Sequence, residues 1–257
     1  MSILISNLSY VVDDSVLLKD ISVEVQQGSI VAVVGPNGSG KTSLLKVVNG
    51  ESIACDGKVL INGEDVYSLS LQTRATRFGI LPQEAALDFP FRVVEVVQMS
   101  RIPHLTTMSV NQTIVDEVIV EMELQDIRDR VYLTLSGGEK QRVQIARVLS
   151  QIWDTREQAC LFLDEPTAAL DLSHQLALFR TLKRVTEIGT TVMVVLHDVN
   201  LALRFAKQVV LLSKGRLLAS GAPLDVLTPD NMREAFSVDI EMFATTDPRR
   251  PFILARQ

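Results

Sequence analysis

The chain of 257 residues has little cysteine, no excess of basic charge and no long apolar run. Its two cysteines, Cys55 and Cys160, are far apart and match no metal-ligand spacing, which indicates two reduced thiols. The net charge of −6 argues against a general nucleic-acid binder, because such a protein needs a basic face. We therefore expect no nucleic-acid partner.

The sequence also lacks the signals of a membrane or secreted protein. No apolar run approaches the ~20 residues that a spanning helix needs. The first stretch, Met1 to Asp20, is interrupted by polar side chains and does not read as a signal peptide. The length suits one α/β domain with a sizeable core. We expect a cytoplasmic chain that reaches a membrane only through a partner.

Three short apolar runs predict the centre of a parallel sheet. They are rich in aliphatic side chains and do not alternate with polar residues, so helices are expected to cover both faces. The runs are Ile30–Val34, Ala159–Leu163 and Val192–Leu196.

Polar residues follow each run directly. Gly35 follows the first, the pair Asp164 and Glu165 the second, and His197 the third. In open α/β sheets the ligand lies beyond the carboxyl ends of the strands. The sequence therefore predicts that these residues meet at one edge of the sheet.

The rest of the chain predicts helices and a second sheet. Helices are predicted at Lys41–Val48, Glu139–Trp153 and Ser173–Ile188, the last closed by Gly189. Alternation near the N-terminus predicts an antiparallel sheet. Residues 85–135 lack strand patterns, and Ser109–Arg130 looks helical. We interpret the chain as one domain of the α/β class, with a mostly parallel core (about 1–84 and 155–257) and an inserted helical subdomain (about 85–154).

The segment after the first run fits the phosphate-loop pattern G-x-x-x-x-G-K-[ST]. Its glycines let several backbone N–H groups turn toward one phosphate, and the next helix adds its positive end. Lys41 can reach the β- and γ-phosphates, and Thr42 offers a hydroxyl to Mg²⁺. The predicted loop residues are Gly35, Pro36, Asn37, Gly38, Ser39, Gly40, Lys41, Thr42 and Ser43.

Two acids end the second run. Asp164 is the natural partner of Mg²⁺, and Glu165 is placed to accept a proton from an attacking water. An isolated Asp-Glu pair is usually a solvated surface feature. Here it follows a buried strand in a chain that has a phosphate loop, which favours a functional role.

The segment Leu135–Arg142 opens the second long helix. Ser136 and Glu139 have the spacing of a capping box. Two glycines behind the serine, Gly137 and Gly138, also form an anion nest at a helix N-terminus. The two interpretations are compatible, and the residues alone do not choose between them.

Three further residues carry little weight singly. Gln83 follows a predicted strand at Phe78–Leu81, His197 ends the third run, and Tyr10 lies in the N-terminal sheet. Each has an ordinary structural explanation.

Together these strings resemble the ATP-binding-cassette family and occur in that family's order over nearly the whole chain. The run Leu135–Gln141 is the most discriminating, because other phosphate-loop enzymes lack it. The matching strings are Gly35–Thr42, Gln83, Leu135–Gln141, Leu163–Pro166, Ala169–Asp171 and His197.

The resemblance implies a head-to-tail homodimer that hydrolyses ATP. ATP would lie with Mg²⁺ between the phosphate loop of one chain and Ser136–Gly138 of the other. Glu165 would act as base and His197 would contact the γ-phosphate. The metal would be bound by Thr42, Gln83 and Asp164. Tyr10 would stack on adenine, and Asp171 would also belong to the ATP-binding site.

The resemblance also implies transport. Two transmembrane permease subunits would hold the dimer at the cytoplasmic face of the inner membrane, and a periplasmic substrate-binding protein would act through them. The strings Leu81–Phe91, Arg101–His104 and Ala146–Trp153, with an extra polar piece at Asp154–Gln158, resemble the haem importer ATPases. Ferric siderophore or cobalamin import is the alternative.

Other classes fit less well. Cassette ATPases of DNA repair carry long coiled coils, and ribosomal ones carry two cassettes, neither of which is seen here. A phosphate-loop kinase leaves Leu135–Gln141 unexplained. Haem itself is not expected to bind, because no apolar pocket around an axial ligand is evident. We expect His104 in the surface that docks on the permease.

Overall fold

The computed structural model describes residues 1–83, 87–243 and 251–256. The strands are β1 (Ile3–Val12), β2 (Ser15–Val25), β3 (Ile30–Val34), β4 (Asp56–Ile61), β5 (Glu64–Asp65), β6 (Phe78–Leu81), β7 (Cys160–Asp164), β8 (Thr191–Val195), β9 (Gln208–Ser213), β10 (Arg216–Gly221), β11 (Ile240–Phe243) and β12 (Phe252–Ala255). The helices are α1 (Lys41–Val48), α2 (Leu71–Arg77), α3 (Val93–Met99), α4 (Met108–Glu121), α5 (Gly137–Ile152), α6 (Leu172–Ile188), α7 (Val199–Phe205), α8 (Pro223–Val226) and α9 (Pro229–Phe236).

The central sheet has the order β10-β9-β3-β8-β7-β6, and its neighbours are parallel except β10, which is antiparallel to β9. The three predicted central strands, β3, β8 and β7, are direct neighbours. Val33 pairs with Val195, and Val195 pairs with Asp164, so the three carboxyl ends are level. The predicted meeting of the polar residues at one edge follows from this register.

The central strands are buried on both faces, as predicted, and every residue of β3, β7 and β8 is buried. Ala32 and Val34 pack in a core with α5 and α6. Val31 and Val33 pack in a second core with α1 and the N-terminal sheet. Because neither face contacts water, these strands need no polar alternation.

The N-terminal sheet is antiparallel, in the order β2-β1-β4-β5, which confirms that prediction. A separate hairpin, β11–β12, ends the described chain. Within the described ranges, no helix is both long enough and apolar enough to cross a membrane.

Helix ends follow local capping. α5 begins two residues before the predicted start because Ser136 caps it. α6 ends at Ile188 and is closed by Gly189, as predicted, where φ is +125°. The helix predicted over Ser109–Arg130 is too long, since α4 stops at Glu121 and Glu123 takes a left-handed φ of +54°.

Helices α3, α4 and α5 pack on one another, with Val96, Val118 and Val148 buried between them. The predicted division into a core and a helical subdomain stays a prediction. Its first boundary, at residues 84–85, lies outside the described residues, as does the Glu84–Ala86 part of the Leu81–Phe91 string.

Candidate active site

An open cleft lies along the phosphate loop. It is bounded by the loop, by the start of α1, and by residues that follow β6 and β7. The lining residues are Leu17, Asn37, Gly38, Gly40, Lys41, Thr42, Ser43, Gln83 and Glu165.

Lys41 is the cation beneath this loop. Only 7% of the residue is exposed, and its Nζ donates to the carbonyl oxygens of Gly35 at 2.9 Å and Pro36 at 3.0 Å. Burial lowers the pKa of Lys41, while the nearby carboxylates of Glu165 and Asp164 oppose that shift. A bound anion in the cleft would stabilise the charged form further.

The loop leaves no room for side chains at its start. A Cβ at Gly35 would stand 2.3 Å from the carbonyl oxygen of Leu212 and 2.6 Å from Ser39 Oγ. Ser39 is 1% exposed, and Gly215 donates its N–H to the Ser39 carbonyl at 3.2 Å. The β9–β10 turn therefore braces the loop from behind.

Asp164 has the environment of a metal ligand. It is 4% exposed, and its Oδ1 has no hydrogen-bond partner among the described residues. Burial raises the pKa of Asp164, and a hydrogen bond from Thr42 is the largest opposing influence. Thr42, Gln83 and Asp164, the predicted metal set, all line one pocket beside α1. An unsatisfied buried carboxylate oxygen beside a hydroxyl and an amide oxygen fits Mg²⁺, which prefers oxygen ligands.

Glu165 contacts His197 and Gln83, two other predicted residues of the site. Its Oε1 is 2.6 Å from His197 Nε2 and accepts a hydrogen bond from Gln83 Nε2 at 3.3 Å. The backbone of Glu165 has a φ of +50°, a region that costs free energy for a residue with a side chain. The turn after β7 thus uses a strained backbone conformation to place the Glu165 carboxylate in the lining of the cleft.

Ser136 caps α5 as the sequence predicted. Ser136 N–H donates to Glu139 Oε2 at 2.7 Å, and Glu139 N–H donates to Ser136 Oγ at 3.3 Å, forming the capping box. Gly137 follows it, and a Cβ at Gly138 would be 3.0 Å from the carbonyl oxygen of Ala169. These residues do not line the phosphate-loop cleft of their own chain as described.

A contact that the sequence did not reveal links this helix to the Glu165 turn. Gln141 Nε2 donates to the carbonyl oxygen of Pro166 at 3.1 Å. A side chain that bonds to a backbone carbonyl leaves no pattern in the sequence, so only the coordinates show it.

Two predicted ATP-binding residues have other contacts in this structure. Tyr10 is half-buried against the core under the N-terminal sheet, and the described lining of the cleft includes Leu17 of β2 but not Tyr10. Asp171 caps α6: it accepts from His174 N–H at 3.0 Å and Ser173 Oγ at 2.8 Å, which lower the pKa of Asp171 to about 2. Their roles toward ATP stay predictions.

The His104 side chain faces inward, and its place in the surface that docks on the permease stays a prediction. Its side chain is 5% exposed, and Nε2 donates to the Gln151 carbonyl oxygen at 2.7 Å. Beside it, Arg101 donates to both carboxylate oxygens of Asp154, at 2.8 and 2.9 Å, and to Ser150 O. The end of α5 supplies these partners, so His104 and Arg101 tie the α3–α4 connection to α5.

Comparison with known proteins places these features in context. The ABC transporter family profile matches residues 18–168. The chain is 40% identical over 240 residues to the hemin import ATP-binding protein HmuV of Pseudomonas putida, covering 93% of this chain and 94% of that protein. It is 40% identical over 241 residues to the protein of the same name from Rhizobium meliloti, and the match covers 93% of this chain and 92% of that protein.

Solved structures show the same fold. A chain of an ABC transporter in an inward-facing conformation superposes with a TM-score of 0.82 at 24% identity, covering 100% of this chain and 97% of that one. The dimeric ATP-binding cassette MJ0796, bound to ADP and Pi after hydrolysis, superposes with a TM-score of 0.76 at 26% identity. The match covers 86% of this chain and 98% of that chain.

Proposed function

The chain belongs to the ABC transporter family, and on that premise we propose that it hydrolyses ATP to power haem (hemin) uptake through a membrane permease. The observation that carries the ATPase role is the position of Glu165, which contacts both His197 and Gln83 beside a phosphate loop. Haem as the cargo is supported by the names of relatives that match nearly the whole chain.

Different residues around the cleft bind the phosphates, accept a proton and bind the metal ion in the proposed hydrolysis. The loop N–H groups and Lys41 hold the phosphates, and the start of α1 adds a partial positive charge. Glu165 accepts the proton of the attacking water, while His197 orients Glu165 and contacts the γ-phosphate. Thr42, Gln83 and Asp164 would hold Mg²⁺, which would neutralise phosphate charge.

The second half of the site comes from another copy of the chain. Ser136–Gly138 form the N-terminus of the 16-residue helix α5 and are largely exposed, while their own phosphate loop is lined by other residues. A helix N-terminus attracts anions. In a head-to-tail homodimer, this end faces the phosphates held by the partner's loop. The dimeric cassette with the same fold supports this assembly.

An exposed apolar surface suits the permease. Leu71, Ile102, Leu105 and Met108 are 77%, 81%, 100% and 78% exposed. The Gln72 side chain contacts the Pro103 carbonyl oxygen, which brings the start of α2 beside the α3–α4 connection. Contiguous exposed apolar side chains mark interaction sites. Two permease subunits would each cover one such surface at the cytoplasmic face of the inner membrane, with a periplasmic binding protein on the far side.

Replacing Glu165 with Gln tests the ATPase assignment. The variant should bind ATP as the native chain does and lose turnover by about 100-fold or more, because a general base contributes about 10²–10⁴. Glu187→Gln, on the exposed side of α6, is the matched control and should hydrolyse ATP at the native rate. Native turnover in Glu165→Gln would show that the base assignment is wrong.

The cargo needs a separate experiment. The chain is purified with its permease, reconstituted in liposomes and supplied with a binding protein loaded with haem, ferric siderophore or cobalamin. Haem should raise ATP hydrolysis and the other two should not. Stimulation by ferric siderophore or cobalamin alone would overturn haem import and leave the ATPase assignment standing.

A further inference from the structure

The C-terminal hairpin lies against the helix that follows His197. In the hairpin, Met242 pairs with Ile253, and Ile240 and Ile253 are buried in the main core. Strand β12 contacts α7, and β11 contacts α9. Arg233 on α9 donates to Asp239 at 2.5 Å at the start of the hairpin. The hairpin is therefore anchored to the domain by apolar and ionic contacts.

Asn200 makes a paired contact with this hairpin. Its Nδ2 donates to the Ile253 carbonyl oxygen at 3.1 Å, and its Oδ1 accepts from the Ile253 N–H at 2.8 Å. One side-chain amide thus satisfies both backbone groups of one strand residue, as a neighbouring strand would. Alanine offers neither group, and aspartate offers only the acceptor.

The same residue stands at the start of the segment that carries His197. Asn200 is in the first turn of α7, and its N–H donates to the capping Asp198 Oδ1 at 2.8 Å. On the other side of His197, Leu196 N–H donates to the Val33 carbonyl oxygen at 3.1 Å. The short stretch with His197 is therefore held at one end by the central sheet and at the other by Asn200.

The His197 side chain itself has little around it. It is 50% exposed, and its close polar contact is with Glu165 Oε1, at 2.6 Å. With so little packing on the ring, its position relative to Glu165 depends on the backbone that carries it.

We infer that Asn200 is a positioning residue for ATP hydrolysis. Its two hydrogen bonds to Ile253 fix the backbone of residues 197–200 to the C-terminal hairpin. This backbone in turn keeps His197 in contact with Glu165. The inference rests on the proposed role of Glu165 as base. The contact joins positions 53 residues apart and ties the end of the chain to the catalytic turn.

Asn200→Ala tests the inference with a measurement that separates positioning from binding. We expect kcat for ATP hydrolysis to fall about three- to tenfold, the range for losing a net hydrogen bond, with KM for ATP changed less than about twofold. Asn200→Asp keeps the acceptor for the Ile253 N–H but sets a carboxylate oxygen against the Ile253 carbonyl oxygen, so its kcat should fall at least as far as that of Asn200→Ala. If Asn200→Ala does not fold, the aspartate variant carries the test.

Asn231→Ala is the matched control. Asn231 is in the first turn of α9 and donates its amide to the Val226 carbonyl oxygen at 2.8 Å, away from the cleft. Its loss should lower thermal stability to a similar degree and leave kcat unchanged. An equal fall in kcat for both variants would overturn the inference, since it would reflect general loosening.

A double substitution shows whether the effect passes through His197. In a His197→Ala background, Asn200→Ala should cause no further loss of single-turnover rate. The same fold-loss in both backgrounds, or native kcat in Asn200→Ala, would overturn the role of Asn200. Either result leaves the proposed function intact if Glu165→Gln remains inactive. A failure of the Asn200 inference is therefore distinguishable from a failure of the proposed ATPase function.

Discussion

Single residues of the phosphate loop differ in what they tolerate. Gly35 and Gly38 both belong to the same motif, yet their surroundings are opposite. A Cβ at Gly35 would meet the Leu212 carbonyl oxygen at 2.3 Å, whereas a Cβ at Gly38 would meet nothing within 4 Å. Both have a positive φ, +154° at Gly35 and +75° at Gly38, but only Gly38 is in the described lining of the cleft. The first glycine is required for packing, and the second for backbone shape and space for the ligand.

Alanine at Gly35 should therefore mainly lower stability, whereas alanine at Gly38 should mainly weaken nucleotide binding. Gly35→Ala should lower the free energy of unfolding by about 3 kcal/mol, the upper part of the range for overpacking, because a backbone carbonyl cannot move aside. Gly38→Ala should cost only about 1 kcal/mol for its left-handed φ, but it should weaken nucleotide binding. Urea denaturation and titration with a fluorescent ATP analogue check both. Equal losses of stability would contradict the contrast.

At the scale of secondary-structure elements, local patterns predicted most of the fold. Five-residue apolar runs predicted β3, β7 and β8 to within one residue, because strands buried on both faces carry a continuous apolar signal. The Ser136–Glu139 spacing predicted the cap of α5. These signals lie within a few positions of one another, and so the sequence displays them.

Contacts between distant elements were not predictable. Asn200 bonds to backbone atoms of Ile253, and any residue would supply those atoms. The contact of His104 was not predicted for the same reason, since its partner is the Gln151 carbonyl oxygen. Of the candidate site, the polar edge of the sheet followed from strand order. The hydrogen bond of Gln83 to Glu165, across 82 positions, needed coordinates.

The link between the α3–α4 connection and α5 should contribute measurably to stability. Arg101 has a side chain 1% exposed, so Asp154→Asn would leave a buried guanidinium without its charge partner. We expect a loss of about 1.5–3 kcal/mol in the free energy of unfolding. The matched control is Asp116→Asn, whose partner Arg128 has a side chain 36% exposed and where about 0–1 kcal/mol is expected. Equal losses in urea denaturation would contradict the difference in burial.

His104 should make the same link sensitive to acid. Burial and the nearby Arg101 guanidinium lower the pKa of His104 below its ordinary value of 6.5. Below that pH the unfolded chain takes up a proton at His104 before the folded chain does, so stability falls as the pH falls. The free energy of unfolding should decline more steeply below pH 6.5 in the native chain than in His104→Gln. Parallel pH profiles would show that His104 makes no such contribution.

At the scale of the whole molecule, the two parts of the proposed ATP site do not meet within a single chain, among the residues described. Asn37 in the phosphate loop and Ser136 at the start of α5 are both exposed, and Ser136 is not part of the described lining around Asn37. Each half suits the same ligand from opposite sides, because both present backbone N–H groups to an anion. Closure of two chains around ATP would join them.

A disulfide between two differently labelled chains would detect that closure. Both chains carry Cys55→Ser, which removes the exposed thiol, while buried Cys160, with a pKa raised to about 12, stays unreactive. Both also carry Glu165→Gln to prevent turnover. One chain adds Asn37→Cys and the other Ser136→Cys, a change close to serine in size. With a mild thiol oxidant present in every sample to accept the two electrons, ATP with Mg²⁺ should let the mixed disulfide form, and omission of ATP should prevent it.

The control for that experiment moves the second cysteine to another exposed helix start. Ser109→Cys, in the first turn of α4, replaces Ser136→Cys and should not cross-link to Asn37→Cys with or without ATP. Because the head-to-tail arrangement pairs a phosphate loop with α5 only, cross-linking of both helix starts to the same extent would contradict it. Cross-linking of the Ser136 position alone, and only with ATP, would mean that nucleotide itself closes the interface, with each chain completing the site of the other.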